Sequence, residues 1–189
     1  IGNEYLFQML AKENIATFDR YKVKKIITTC PHCYNTIKNE YPQFGGNYEV
    51  VHHTELLDNL IKEGKLKPIK SIDKKITFHD SCYLGRYNEI YDAPRSLLKS
   101  IPNTHIEEMD LCRDKGRCCG AGGGRMWMEE KSGTRINHKR LEDVKTQTDA
   151  NLVASSCPFC LTMLSDAVKE TNTENMETKD IAELIVESF

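Results

Sequence analysis

Lys25-Ile26-Ile27-Thr28-Thr29-Cys30-Pro31-His32-Cys33 is a β-branched run that stops at two cysteines flanking a proline and a histidine. Isoleucine and threonine suit a short buried strand. Proline directly after the first cysteine suits the first turn of a helix. The stretch therefore predicts a strand-to-helix turn with two thiols at its bend. The same pattern returns 127 positions later as Leu152-Val153-Ala154-Ser155-Ser156-Cys157-Pro158-Phe159-Cys160. Amphipathic helical segments follow both copies at nearly the same offset, over residues 54–61 and 179–186. A strand running into a helix, twice, implies an α/β fold of parallel βαβ units with right-handed crossovers.

The neighbouring segments fill in that frame. Residues 75–80 read as a strand delivering Cys82 at its end, and residues 48–52 and 105–109 as two more strands. Helical spacing marks residues 2–18, 93–100 and 125–144, the last open to interruption at Gly133 and Thr134. Residues 65–75, with five lysines and one proline, read as a solvated connection. It divides the chain into residues 1–68 and 69–189.

Composition excludes several classes. At 189 residues and 39% hydrophobic content the chain can bury one sizeable core or two modest ones. Its 26 Lys+Arg against 28 Asp+Glu leave no electrostatic footprint for nucleic acid. No apolar run approaches the roughly 20 residues needed to span a bilayer. No signal peptide or initiator methionine is present at Ile1-Gly2-Asn3-Glu4, so a fragment of a longer chain is expected. Eight cysteines without a signal peptide favour a reducing compartment. A cytoplasmic location follows, with membrane association only through other regions or partner subunits.

The remaining cysteines carry the chemistry. Cys118-Cys119-Gly120-Ala121-Gly122-Gly123-Gly124 joins a vicinal pair, which rarely bonds to itself, to glycines that permit positive φ and close approach. Ligands collect at the C-terminal ends of parallel strands. There Cys82, Cys118, Cys119, Cys157 and Cys160 are expected to converge. Structural zinc takes four such ligands, so five leave one to spare; thiolate-rich sets also select iron–sulfur clusters. An even cysteine count keeps a disulfide framework open. Cys112, alone, reads as a small buried hydrophobe.

Cys82, then Cys118-Cys119-Gly120, then Cys157-x-x-Cys160 resembles the cysteine-rich CCG domain of the heterodisulfide reductase catalytic subunit and related iron–sulfur oxidoreductases. The segments His79-Asp80-Ser81-Cys82-Tyr83-Leu84-Gly85-Arg86 and Gly120-Ala121-Gly122-Gly123-Gly124-Arg125-Met126-Trp127 are most similar to the membrane-associated branch that works with electron-transfer flavoprotein. Such proteins usually carry the domain in tandem. The resemblance implies that residues 1–68 are the C-terminal half of a first CCG domain and residues 69–189 a complete second one. It implies that Cys82, Cys118, Cys119, Cys157 and Cys160 hold one [4Fe-4S] cluster, of the noncubane kind. Cys30 and Cys33 match the last pair of the preceding domain, an incomplete first site. The implied function is electron transfer between a flavoprotein-type or iron–sulfur partner and a quinone or disulfide acceptor. Ser81 stands where many relatives have proline, and the Cys119-to-Cys157 spacing is slightly long for the family.

Two rivals stay open. One is a non-catalytic docking module stabilised by zinc. The other is a thiol–disulfide enzyme using Cys30 and Cys33, whose spacing resembles the redox dithiols of the thioredoxin superfamily. The glycines are not read as a phosphate loop, because no Lys-Ser/Thr follows. His79 reads as a structural histidine, with a sulfur donor or proton carrier as the alternative. His52 and His53 read as structural. Trp127, between Met126 and Met128, reads as core or interface. Arg125 and Arg135 either bind an anionic substrate or offset cluster charge.

Overall fold

The computed structural model describes residues 2–130 and 133–189. Two parallel sheets organise them, with helices between. In the first half, α1 (Glu4–Arg20), capped by the Asn3 side chain, precedes β1 (Lys25–Thr28) and α2 (Pro31–Asn35). A π-helical turn (Thr36–Glu40) and a 3-10 turn (Tyr41–Phe44) lead to β2 (Glu49–His52) and α3 (His53–Lys62). In the second half come β3 (Ile76–Phe78), α4 (Asp92–Ser100), α5 (Ile136–Gln147), β4 (Leu152–Ser155), α6 (Pro158–Glu170), β5 (Glu177–Asp180) and α7 (Ile181–Glu187).

The expected α/β architecture is present, and the repeat is visible in the pairing. β1 pairs with β2 in parallel, ending at Thr28 opposite His52. β4 pairs with β5 in parallel, ending at Ser155 opposite Asp180. His52 caps α3 and Asp180 caps α7, each in a capping box completed by Glu55 and Glu183 respectively. The second sheet is larger. β3 lies on the other side of β4, and Ile106 adds one isolated bridge beyond β3.

β4 is central and buried along its whole length, as a parallel strand covered on both faces must be. Alternation sorts its side chains between two layers. Leu152 and Ala154 pack with Ile76 and Phe78 against Leu97 and Leu98 of α4 and Ile181, Leu184 and Ile185 of α7. Val153 faces Val144 of α5, Leu164 of α6 and Met109. Leu57 and Ile61 of α3 pack on the first of these clusters, so the first half is anchored to the second half's core.

Several expectations change. The strand over residues 105–109 is reduced to its single bridge at Ile106. The helix over residues 125–144 begins only at Ile136. Before it, Gly122–Trp127 forms a 3-10 segment in which Gly123 and Gly124 take positive φ, a conformation that breaks a helix. Lys131 and Ser132, inside the same expected helix, lie outside the described residues. β5, Glu-Thr-Lys-Asp, is a strand that its polar sequence does not predict. The 65–75 connection is pinned to the far end of the chain: the Ile69 and Lys70 amides both donate to the Ser188 carbonyl at 2.8 Å. No helix among the described residues is long and apolar enough to cross a membrane.

Candidate metal centre

Cys30 and Cys157 occupy the same position in the two units. Each is the extended N-cap residue of the helix after its strand, with proline at the first helical position and no side-chain cap bond. The first amides of a helix lack intrahelical acceptors, and the positive end of the helix dipole favours an anion there. Both strand-to-helix turns therefore place a cysteine where a bound anionic group is favoured.

In the second unit, Cys119, Cys157 and Cys160 form one buried cluster with Ala121 and Met163, bordered by Met126 and Phe159. Cys82 and Cys118 are half-buried and interact with Cys119 at its side. The Gly120 amide donates to Cys118 Sγ at 3.2 Å. Gly120 has φ +93°, and a Cβ there would sit 3.2 Å from Ile136 Cβ and 3.4 Å from the Asn137 nitrogen. A side chain at this position would therefore be strained by the backbone conformation and tightly packed against its neighbours.

The thiols interact as a set. Hydrogen bonds with Cys118 and Cys160, and then with His79, hold the Cys119 thiol well below its ordinary range. Cys118 and Cys160 are pushed up, chiefly by their hydrogen bonds to Cys119. Cys82 is pushed up by burial first, then by the charges of Cys119 and Cys157. Several thiols thus compete for one negative charge, and a bound cation would let more of them ionise.

The structure also brings together residues from the two units. Cys30 is in hydrogen-bonding contact with Cys157 and Cys33, which hold its thiol low, and Cys33 is pushed up by the same contact. His32 Nδ1 lies 3.7 Å from Cys30 Sγ. Hydrogen bonding to Cys157, then Cys30, raises the His32 imidazole to about 9. The His32 ring lies 4.3 Å from Tyr83 and 5.2 Å from Phe159, so the aromatic residue beside each cysteine motif packs on its neighbours. Cys33 is exposed. Cys112 is half-buried rather than buried, and its thiol is pushed up by burial and then by Glu108. All eight cysteines are free, so the disulfide framework is not formed.

The Cys82 loop is held by a buried ion network. Arg95 donates twice to Asp80, at 2.8 and 2.9 Å, and twice to Glu108, at 2.5 and 2.8 Å. The Arg113 amide adds a bond to Asp80 at 2.7 Å, tying in the loop before Cys118. Asn88 links Asn35 of the first unit to the Tyr83 carbonyl. Sequence reading misses Arg95 and Arg140; nothing in their local sequence separates them from surface arginines. His32 is visible there only as part of a dithiol motif. Trp127 is 78% exposed, which rules out the core half of its core-or-interface reading. Arg125 pairs with Glu130 at 3.2 Å and Arg135 with Glu170 at 2.6 Å, so each is already engaged by a carboxylate.

The donors fit a thiolate-bound metal group. They are sulfurs with imidazoles beside them, the soft set that selects zinc or iron–sulfur over hard cations. Ser81 and Ser156, adjacent in sequence to Cys82 and Cys157, carry buried hydroxyls without a partner among the described residues, polar capacity that an inorganic group could use.

Known proteins share this organisation. The CCG cysteine-rich domain family matches residues 1–38 and 76–165. The chain is 53% identical, over its whole length, to the probable iron-sulfur-binding oxidoreductase FadF of Bacillus subtilis, of which it covers 27%. It is 48% identical over 98% of its length to EtfAB:quinone oxidoreductase of Syntrophomonas wolfei, again covering 27%. It is 37% identical over 95% of its length to one subunit of the dihydromethanophenazine:CoB–CoM heterodisulfide reductase from Methanosarcina mazei, covering 44% of that subunit. The chain thus spans less than half the length of each of these curated relatives.

Proposed function

The chain belongs to the CCG cysteine-rich domain family, and we propose that it is the cluster-holding part of a larger iron–sulfur oxidoreductase. In this reading Cys82, Cys118, Cys119, Cys157 and Cys160 hold a [4Fe-4S] cluster. Electrons pass through it between a flavoprotein-type donor and a quinone or disulfide acceptor. Residues 69–189 are the complete unit; residues 1–68 are the C-terminal half of a second, contributing Cys30 and Cys33. Attachment to a membrane, where it occurs, comes through other regions or partners.

The observation that carries this reading is the buried meeting of Cys119, Cys157 and Cys160, with Cys82 and Cys118 beside them. The names of the relatives support the acceptor classes, one naming quinone and another a heterodisulfide. When bound, the cluster supplies a one-electron store whose potential follows its sulfur environment. The chain's residues do the remaining work. The strand-to-helix turns set Cys30 and Cys157 at the helix starts, Gly120 donates to Cys118, and the Arg95 network fixes the Cys82 loop.

Anaerobic reconstitution with iron and sulfide analysis and EPR tests the proposal. About four irons per chain and a paramagnetic state on redox cycling are expected. A colourless, EPR-silent protein that retains zinc when purified without oxygen would favour the zinc reading instead, for which His79, Cys119 and Cys160 supply a compact donor set. The dithiol reading draws on the opposed shifts of Cys30 and Cys33. Disulfide exchange that survives removal of all iron, and is lost in Cys30→Ser, would favour it.

A further inference from the structure

His79 has two possible relations to the sulfur centre, and its buried neighbour distinguishes them. Its ligand-capable nitrogen and the sulfurs of Cys119 and Cys160 lie within 4.8 Å of one another, all on buried residues. By distance alone the imidazole is a candidate third ligand. Arg140 argues against that. Its side chain is fully buried, and its Nε lies 3.2 Å from His79 Nδ1. A guanidinium has only donors and is always protonated. The Nδ1 that faces it must therefore accept, and cannot carry a hydrogen of its own. In a neutral imidazole the proton then sits on Nε2.

We propose that His79 is a positioning residue rather than a metal ligand: Arg140 fixes its tautomer so that Nε2–H donates to the sulfur of Cys119. The inference rests on the cluster reading above and assigns this chain's own residues toward it.

The surroundings hold the arrangement rigid. The His79 amide donates to the Ala154 carbonyl at 2.9 Å, extending the β3–β4 ladder by one residue and fixing the ring's root. Arg140 reaches Asp143 at 3.4 Å, and Asp143 accepts from Arg117 at 2.7 Å. Arg140 Nη2 is buried without a partner among the described residues. A buried cation left partly unsatisfied costs stability, an arrangement more readily explained by a task at the centre than by packing. A fixed N–H aimed at a ligand sulfur stabilises the reduced, more negative cluster, and so raises its reduction potential.

The test uses the whole protein with its cluster, EPR-monitored redox titration and nitrogen hyperfine spectroscopy in H2O and D2O. In the wild type, a weakly coupled nitrogen with an exchangeable proton is expected. His79→Phe should keep its iron content and lower the reduction equilibrium constant by about tenfold, equivalent to about 59 mV for one electron. His79→Gln, which retains a donor, should recover part of that change, and Arg140→Met should reproduce part of the loss. A strong, directly bonded nitrogen coupling would make His79 a ligand and overturn the inference. So would an unmoved potential in His79→Phe with full iron content. If that variant fails to fold, the wild-type spectrum decides alone: a cluster signal lacking an exchangeable imidazole N–H, told apart from the Gly120 amide by its nitrogen quadrupole coupling, overturns this inference and leaves the cluster reading intact. No iron signal at all overturns both.

Discussion

The two Cys-Pro-x-Cys turns have the same backbone and different housing. β1 is one of only two strands in its sheet and leaves Ile27 53% exposed, whereas β4 is central and buried throughout. Cys33, the second thiol of the first turn, is exposed; its counterpart Cys160 is 1% exposed. Cys160 meets Cys119 from the preceding residues of the same unit, and Cys118 and Cys82 lie in turn beside Cys119, while Cys30 finds its outside partner in Cys157 of the other unit. The local motif therefore determines where the thiols sit on the turn. What they can bind is decided by what the rest of the unit folds over them.

That contrast is open to direct attack. The largest effect is expected from thiol replacement. In Cys119→Ala, iron bound after reconstitution should fall to background. Cys33→Ala should leave it near the wild-type level, and equal losses would erase the distinction between the units. Next is Arg95→Met, which strands Asp80 beside the Cys82 loop. Breaking a buried pair of this kind costs about 3–5 kcal/mol, to be read from chemical denaturation of the metal-free protein.

The two capping residues give a smaller, pH-dependent test. His52 is fully buried, and burial followed by the charge of His53 lowers its imidazole to about 3. Its ordinary value is about 6.5, so the unfolded chain takes up the proton first. The stability this neutral histidine contributes is present above pH 6.5 and is lost as the pH falls toward 3. Between pH 7 and pH 5 that amounts to about 2 kcal/mol. His52→Asn keeps a capping side chain and should flatten this part of the profile; an unchanged slope would remove His52 as its source. Smallest is Asp180→Ala in the equivalent cap of the second unit. It should lose about 1 kcal/mol by denaturant titration, through the Asp180–Ala182 bond at 2.8 Å.

Much of this organisation is legible where local chemistry repeats. A β-branched run, a cysteine and a proline specify a strand, a bend and a helix start from adjacent residues alone, and both copies form as written. β5 is illegible because Glu177, Thr178, Lys179 and Asp180 offer no apolar alternation; they form a strand because the edge of β4 supplies the hydrogen-bonding partner. The late start of α5 is hidden because Met126, Ile136 and Leu141 keep helical spacing across glycines whose positive φ interrupts it. Around the centre, the five cysteines can be named from motif and spacing. The approach of Cys30 to Cys157 cannot, since it depends on how two units pack rather than on either one. The burial of Arg95 and Arg140 is likewise invisible, because it is set by carboxylates and a histidine distant in sequence.

One carboxylate stands where the two units meet at their helix starts. His53, the first residue of α3, places Nε2 3.3 Å from Asp180, the residue that begins α7. α3 opens on a histidine cap and brings its first residue against a carboxylate more than a hundred positions away. The beginnings of two helices therefore meet at a single side chain. Peeling away the short polar edge strand that carries Asp180 would loosen the first turn of α3 as well, making a remote tail a fastening for the opposite half of the molecule.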